Sequence, residues 1–358
     1  MPVTFDPAAA ARPGSGVFGL PHSADEAGVI LVPVPFEATT SYGGGAARGP
    51  ELVLAGSRQV DLYDVETGRP YEAGIHMLPV PEEIARLDEA ARRAALPVIA
   101  AGGVEEGRED LARAAAEVNR ACERVNAWVE DTVEGLLARG KRVGVVGGDH
   151  STSLGAIAAH ARRYPGLGLL HVDAHADLRV AYEGFTYSHA SIVYNVAERC
   201  PDVARIVQVG LRDLSEDELR YAAASGGRIV QHHDAALAAA RFDGEPWSAL
   251  VRRILEPLPP DVYVTFDVDG LDPTLCPGTG TPVPGGLSFH EAAALLAGVV
   301  RSGRRIVGFD LVEVSPGAGD GAWDGNVGAR LLYKLVGWML RSFEGDLRPT
   351  RGGPTVTG

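Results

Sequence analysis

The segment LLHVDAHAD, residues 169–177, alternates apolar and polar residues along what reads as an extended chain. Strand side chains point alternately to opposite faces, so Val172, Ala174 and Ala176 fall on one side and His171, Asp173, His175 and Asp177 on the other. DVYVTFDVD, residues 261–269, repeats the pattern: Val262, Val264, Phe266 and Val268 share one parity, and Asp267 and Asp269 end the other, after Tyr263 and Thr265. Carboxylates gathered at the ends of buried strands repel one another and resist burial in ionised form. Bound cations remove both penalties. Asp173, Asp177, Asp267 and Asp269 carry a formal charge of −4, which two divalent ions neutralise, so the pattern predicts a two-metal site.

GGDHS at 147–151 supplies a third piece. It follows the apolar run Val143 to Val146 and precedes a helical pattern, which places His150 at the carboxyl edge of a strand, where open α/β sheets bind ligands. His150, Asp173, His175, Asp177, Asp267 and Asp269 form an oxygen-rich set with two imidazoles and no thiolate, suited to manganese over zinc, with nickel or cobalt as alternatives. His171 shares the polar parity of the ligands but lies one strand step deeper, and reads as a core or supporting histidine.

Working outward, apolar β-rich runs at 28–34, 142–147, 167–173, 205–210, 228–233, 261–267 and 304–312 alternate with helical patterns around 151–163, 189–199, 215–224, 288–302 and 326–343. That alternation predicts an α/β fold, a mainly parallel sheet covered by helices on both faces. Residues 84–140 are Ala-, Glu- and Arg-rich with helical periodicity and a Gly-containing break near 102–107, and are expected to add an extra helical layer. One domain is expected over residues 1–358, with weakly ordered first residues and a weakly ordered tail, RPTRGGPTVTG.

Lys plus Arg number 33 against 47 Asp plus Glu, and the net charge of −14 argues against nucleic-acid or anionic-membrane partners while suiting a cationic substrate. Cys122, Cys200 and Cys276 show no metal or redox spacing, so a reducing cytoplasm is the expected location. No run reaches the ~20 apolar residues needed to span a bilayer, and the N-terminus lacks a basic start followed by an apolar core.

GGDHS, DAHAD, FDVDGLDP and the loop PGTGTPVPGG at 277–286, in that order, resemble the arginase and agmatinase ureohydrolase family. The resemblance extends from SYGGGAARGPELVLAGS at 41–57, similar to the family's Gly-rich loop and first helix, through GFDLVEVSP at 308–316 to the closing helix beginning WDGNVGARLLYKL at 323. It implies a single three-layer α/β/α domain on an eight-stranded parallel sheet, assembled into a homo-oligomer, trimer or hexamer. It further implies one ion held by His150, Asp173, Asp177 and Asp267, a second by Asp173, His175, Asp267 and Asp269, and an activated water between them as nucleophile. By the same resemblance Glu313 would pair with the substrate guanidinium, and His189, in YSHAS, would shuttle protons to bulk water.

The match is mixed after DAHAD. Where arginases place an Asn that grips the amino-acid carboxylate, Leu178 and Arg179 stand, which moves the expectation from arginine toward agmatine or another small guanidino compound. Asp-Leu-Arg is closer to formimidoylglutamases, in which an Arg suits an acidic substrate, and an inward-pointing Arg179 would favour that alternative, arginase and guanidine hydrolase being others. Trp323 is a candidate aromatic wall of the pocket. A non-catalytic metal-binding role is disfavoured by retention of all six ligands with Glu313 and His189.

Overall fold

The computed structural model of the chain describes residues 5–344. Eight strands, β1 (Val29–Val34), β2 (Ile75–Met77), β3 (Arg142–Gly147), β4 (Leu167–Val172), β5 (Val203–Leu211), β6 (Ile229–His233), β7 (Asp261–Asp267) and β8 (Arg305–Val312), join one sheet. Their order is β2-β1-β3-β8-β7-β4-β5-β6, and every pairing is parallel. Parallel neighbours require crossover connections, and helices on both faces leave the strands without a wet side. β1 and β4 are buried at every position, which is why they read as near-continuous Val, Leu and Ile.

One face is covered by α1 (Gly49–Ser57), α8 (Trp247–Leu255), α9 (Phe289–Arg301) and α10 (Ala322–Ser342), whose Leu52, Leu250, Leu295 and Leu331 join the core there. The other is covered by α3 (Glu109–Ala138), α4 (Leu154–Arg163) and α5 (Ile192–Arg199), through Val118, Ile157 and Val193. The result is the three-layer α/β/α architecture expected from the sequence. Among the described residues no helix is long and apolar enough to cross a membrane.

Several expectations need correction. Strand β4 stops at Val172, so residues 173–177 are irregular chain and strand alternation does not extend through DAHAD. The segment read as an extra layer forms α2 (Glu82–Ala100) and α3, separated by a turn in which Gly102, Gly103 and Gly107 all have positive φ. α3 is the crossover that returns the chain from β2 to β3: it packs on α4 and touches β1 and β3, and so belongs to the sheet-covering layer. Only α2 lies outside it, against α3. The three-residue edge strand β2 is too short to show alternation. α7 (Asp234–Phe242) is masked by its alanines and buries only Leu237, while α6 (Glu216–Ala224) begins with a Ser-x-x-Glu capping box, Ser215 and Glu218. Residues 1–4 and the tail at 348–358 lie outside the described residues.

Candidate active site

Four neighbouring strands, in the order β3-β8-β7-β4, each deliver a candidate residue at the carboxyl edge: His150 just after β3, Glu313 after β8, Asp267 at the end of β7 and Asp173 after β4. The two glycines of GGDHS make the first of these placements possible. The chain of Phe36 crosses directly over Gly148, where a Cβ would collide with the Phe36 carbonyl, and Asp149 N–H donates to that carbonyl at 2.9 Å.

His150 is held in one tautomer. The Thr265 hydroxyl donates to Asp310 Oδ1 at 2.8 Å, so its oxygen must accept from His150 Nε2–H, also at 2.8 Å. That leaves Nδ1, buried and without a hydrogen-bond partner, facing Asp173 Oδ2 at 3.0 Å, Asp177 Oδ2 at 3.3 Å and Asp267 Oδ2 at 3.3 Å. A buried lone pair opposite three carboxylate oxygens is costly without a positive charge between them. The donors fit a divalent ion. Burial, followed by the charge of Asp173, pushes the Asp177 carboxyl up to about 6, and burial with the charges of Asp269 and Asp173 pushes Asp267 up as well. Burial opposes a charged His150, but the three carboxylates outweigh it and raise its pKa. In the absence of metal the cluster takes up protons in place of the cation.

The second set is Asp173, His175 and Asp269. His175 Nδ1 lies 3.0 Å from Asp269 Oδ2 and 3.4 Å from Asp173 Oδ1, so the two oxygens of Asp173 face the two imidazoles, as a bridging carboxylate requires. The distances tie Asp267 to the first set, through His150, and its Oδ1 accepts from Asp269 N–H at 2.8 Å. The backbone is strained at two of these acids: Asp177 has φ 53° and Glu313 φ 63°, in a region that costs a non-glycine residue on the order of 1–3 kcal/mol. Glu313 Oε1 accepts His150 N–H at 2.9 Å, and its own N–H donates to the Gly148 carbonyl. Its carboxyl is raised by burial and by the charges of Asp267 and Asp149, and so calls for a cationic neighbour.

His171 is close enough to count among the donors, yet hydrogen bonding settles its part. Gln208 donates its amide to the Ala176 carbonyl at 2.7 Å and to His171 Nδ1 at 3.0 Å, which puts the His171 proton on Nε2, donating to Asp173 Oδ2 at 2.8 Å. It supports a ligand, as its deeper position suggested.

A cavity of ≈ 170 Å³ opens onto the cluster and is lined by His189, Glu313, Arg179, Tyr182, Asp213 and Thr281, among others. His189 is pushed down to about 4 by burial and by His175 and His150, so it is neutral near pH 7. Arg179 does face the cavity, with its guanidinium 5.1 Å from the Tyr182 ring centre and Nε 3.8 Å from the buried Glu218. Trp323 does not line it. That ring is 54% exposed on the first turn of α10, and its N–H donates to the Thr274 carbonyl.

Residue-by-residue reading missed Thr281, whose hydroxyl donates to Asp269 Oδ2 at 3.2 Å, along with Gln208, Asp310 and the rim acids Asp213 and Glu218. Gln208 and Asp310 had a visible mark: each is the one polar residue in the apolar, buried run of its strand, 206–211 and 306–312. The loop-borne residues had none.

Donors so placed beside a cavity define a class, the hydrolases that use a dinuclear metal centre. Comparison with known proteins agrees. The Arginase family model matches residues 27–337, and the chain belongs to that family, whose members depend on a dinuclear metal centre. The chain is 35% identical to N(1)-aminopropylagmatine ureohydrolase of Thermus thermophilus over 330 residues, covering 89% of this chain and 95% of that enzyme. It is 31% identical to agmatinase of Cronobacter sakazakii, covering 83% and 82%. The solved structure of proclavaminate amidino hydrolase from Streptomyces clavuligerus shares the fold with a TM-score of 0.71 at 24% identity, over 93% of this chain and 99% of that one.

Proposed function

We propose that this protein hydrolyses the guanidino C–N bond of agmatine or a similar small guanidino compound to urea and an amine, with two manganese ions. The observation that carries the reading is the buried, unpartnered Nδ1 of His150 among three carboxylates, next to a cavity whose acids outnumber its one arginine. The N/O donor set without thiolate supports manganese, nickel and cobalt being the alternatives. When bound, the ions lower the pKa of a water toward neutrality and orient it toward the guanidinium carbon. Six residues would hold them: His150, Asp173, Asp177 and Asp267 for one ion, and Asp173, His175, Asp267 and Asp269 for the other.

The remaining work falls to the chain. Glu313, beside the carboxylate cluster in the cavity, would pair with the guanidinium and fix its plane. As the new C–O bond forms and the C–N bond breaks, the leaving nitrogen needs a proton. His189, neutral and lining the cavity, accepts a proton and passes it on. The buried cysteines are unpaired, which supports a reducing cytoplasm, and a homo-oligomer is the expected assembly.

For the substrate tail, the names of the ureohydrolase and agmatinase relatives support a cationic or neutral tail. Arg179 at the cavity wall favours a second reading, a carboxylated amidine such as formimidoylglutamate. Against it, the charge of Arg179 is already matched by Glu218. A panel of agmatine, arginine, guanidinobutyrate, guanidine and formimidoylglutamate, with manganese- and nickel-loaded enzyme, separates the two when urea and formamide are scored apart. Urea from agmatine is the expected outcome, and formamide as the main product would overturn it.

A further inference from the structure

The loop after β1 carries a threonine that packs directly against His189. Thr39 is fully buried, and its hydroxyl donates to Asp149 Oδ2 at 3.1 Å. Asp149 is also fully buried and accepts from Ser151 N–H and O–H. The single hydroxyl proton of Thr39 is therefore spent on Asp149, and its oxygen is left as an acceptor. What it faces is His189: the main-chain N–H donates to it at 3.2 Å, and ring Nδ1 lies 3.4 Å away. The Ser188 hydroxyl, also 3.4 Å from Nδ1, accepts from Ala190 N–H and keeps both its proton and a lone pair, so it can serve either tautomer of the ring. Thr39 can only accept, and that biases the ring toward the tautomer with hydrogen on Nδ1.

The loop itself is clamped from α2. Asp88 accepts Glu37 N–H at 2.7 Å, and Arg92 donates to the carbonyls of Thr40 and Ala38, so one helix grips the backbone on both sides of Thr39. Through these two side chains the helix that lies outside the sheet-covering layer reaches the loop beside the cavity.

We propose that Thr39 is a positioning residue for the reaction: it holds His189 as the Nδ1–H tautomer, leaving Nε2 free to take and release the proton in the cavity. The assignment rests on the reading of His189 as the proton carrier.

The test compares Thr39→Val, Thr39→Ser, His189→Ala and the Val/Ala double variant, using the fastest substrate of the panel and measuring metal content alongside. Thr39→Val should lower kcat roughly tenfold, the usual worth of one hydrogen bond, with KM and metal content unchanged. Thr39→Ser should recover most of the rate. In the His189→Ala background Thr39→Val should add nothing, because its effect runs through that ring. Should Thr39→Val fail to fold, Thr39→Ala carries the same comparisons. A readout independent of turnover is the nitrogen-15 spectrum of histidine-labelled, zinc-loaded protein, in which His189 should show the Nδ1–H tautomer and lose it in Thr39→Val. Wild-type kcat in Thr39→Val, an equal loss in the His189→Ala background, or an Nε2–H tautomer in the unsubstituted protein would overturn the proposal. If His189→Ala itself turned over as fast as wild type, the proton-carrier reading would fall first, and this one with it.

Discussion

The floor and the wall of the cavity are built differently. The floor, His150, Asp173, Asp267 and Glu313, comes from the carboxyl ends of four adjacent buried strands, and its imidazole is locked by a hydrogen bond to Thr265. The wall, with Arg179, Tyr182, Asp213 and Thr281, is carried on loops, with Asp213 exposed at its rim. A floor fixed by strand packing suits chemistry that tolerates little displacement, whereas loops vary without disturbing the sheet. Reaction class should therefore follow the floor, and substrate choice the wall.

Damage to the floor should have the largest effect. Asp267→Ala removes an oxygen 3.3 Å from His150 Nδ1 and the carboxylate expected to serve both ions. Metal occupancy by elemental analysis and activity should be lost together. Active wild-type enzyme containing no transition metal would break the division at its root.

Glu313→Gln is the next step down. The amide oxygen still accepts the His150 N–H, so metal should stay bound, while the lost negative charge should raise KM and lower kcat together, roughly 10²-fold in kcat/KM. Unchanged kinetics would remove Glu313 from the floor.

How much of each region was legible follows from the same difference. Asp173, Asp267 and His150 could be read because each terminates an apolar run, where an acid or imidazole is costly unless it meets a partner. The parity argument for His175 and Asp177 assumed a strand that in fact ends at Val172: Asp177 arrives through a left-handed turn, and Asp269 through a short helical turn, Val268–Gly270. The family resemblance, more than periodicity, carried those positions. For the wall, nothing in LRVAYEGFTYSHAS distinguishes an Arg that faces the cavity from one that faces solvent, since loops have no period from which to infer a side. Trp323 shows the opposite error, an aromatic beside a site motif that is exposed at a helix start.

A smaller effect concerns the floor stripped of metal by a chelator. Asp177 is pushed up to about 6 from 3.8 by burial and the charge of Asp173, and His175 to about 12 from 6.5, against its burial, by Asp269 and Asp173. Both groups hold protons in the folded state that the unfolded chain has released. The stability this carries is complete below the unfolded values and is lost as pH rises through the folded ones, for Asp177 between 3.8 and about 6 and for His175 from 6.5 toward about 12. Lowering the pH from about 8 to about 6 should raise the Tm of stripped protein by ~3 °C. Loaded protein should move the other way, because protons compete with metal for the same donors. Parallel Tm profiles of the two forms would deny that the cluster exchanges protons for cations.

The smallest effect should come from the wall. Arg179 faces the cavity, but the buried Glu218 beside its Nε and the Tyr182 ring beneath its guanidinium leave it a matched charge, with Asp213 adding a further negative one nearby. An α-carboxylate gains little there, so kcat/KM should be higher for agmatine than for arginine. Arg179→Ala, which leaves Glu218 held by Leu178 and Ser215, should change that ratio by less than about threefold, the scale of an exposed ion pair. The relevant measurement is kcat/KM for both substrates in wild type and variant. If arginine proved the better substrate, or if Arg179→Ala abolished turnover of formimidoylglutamate alone, the arginine would be a carboxylate receptor and the wall would select an acidic tail.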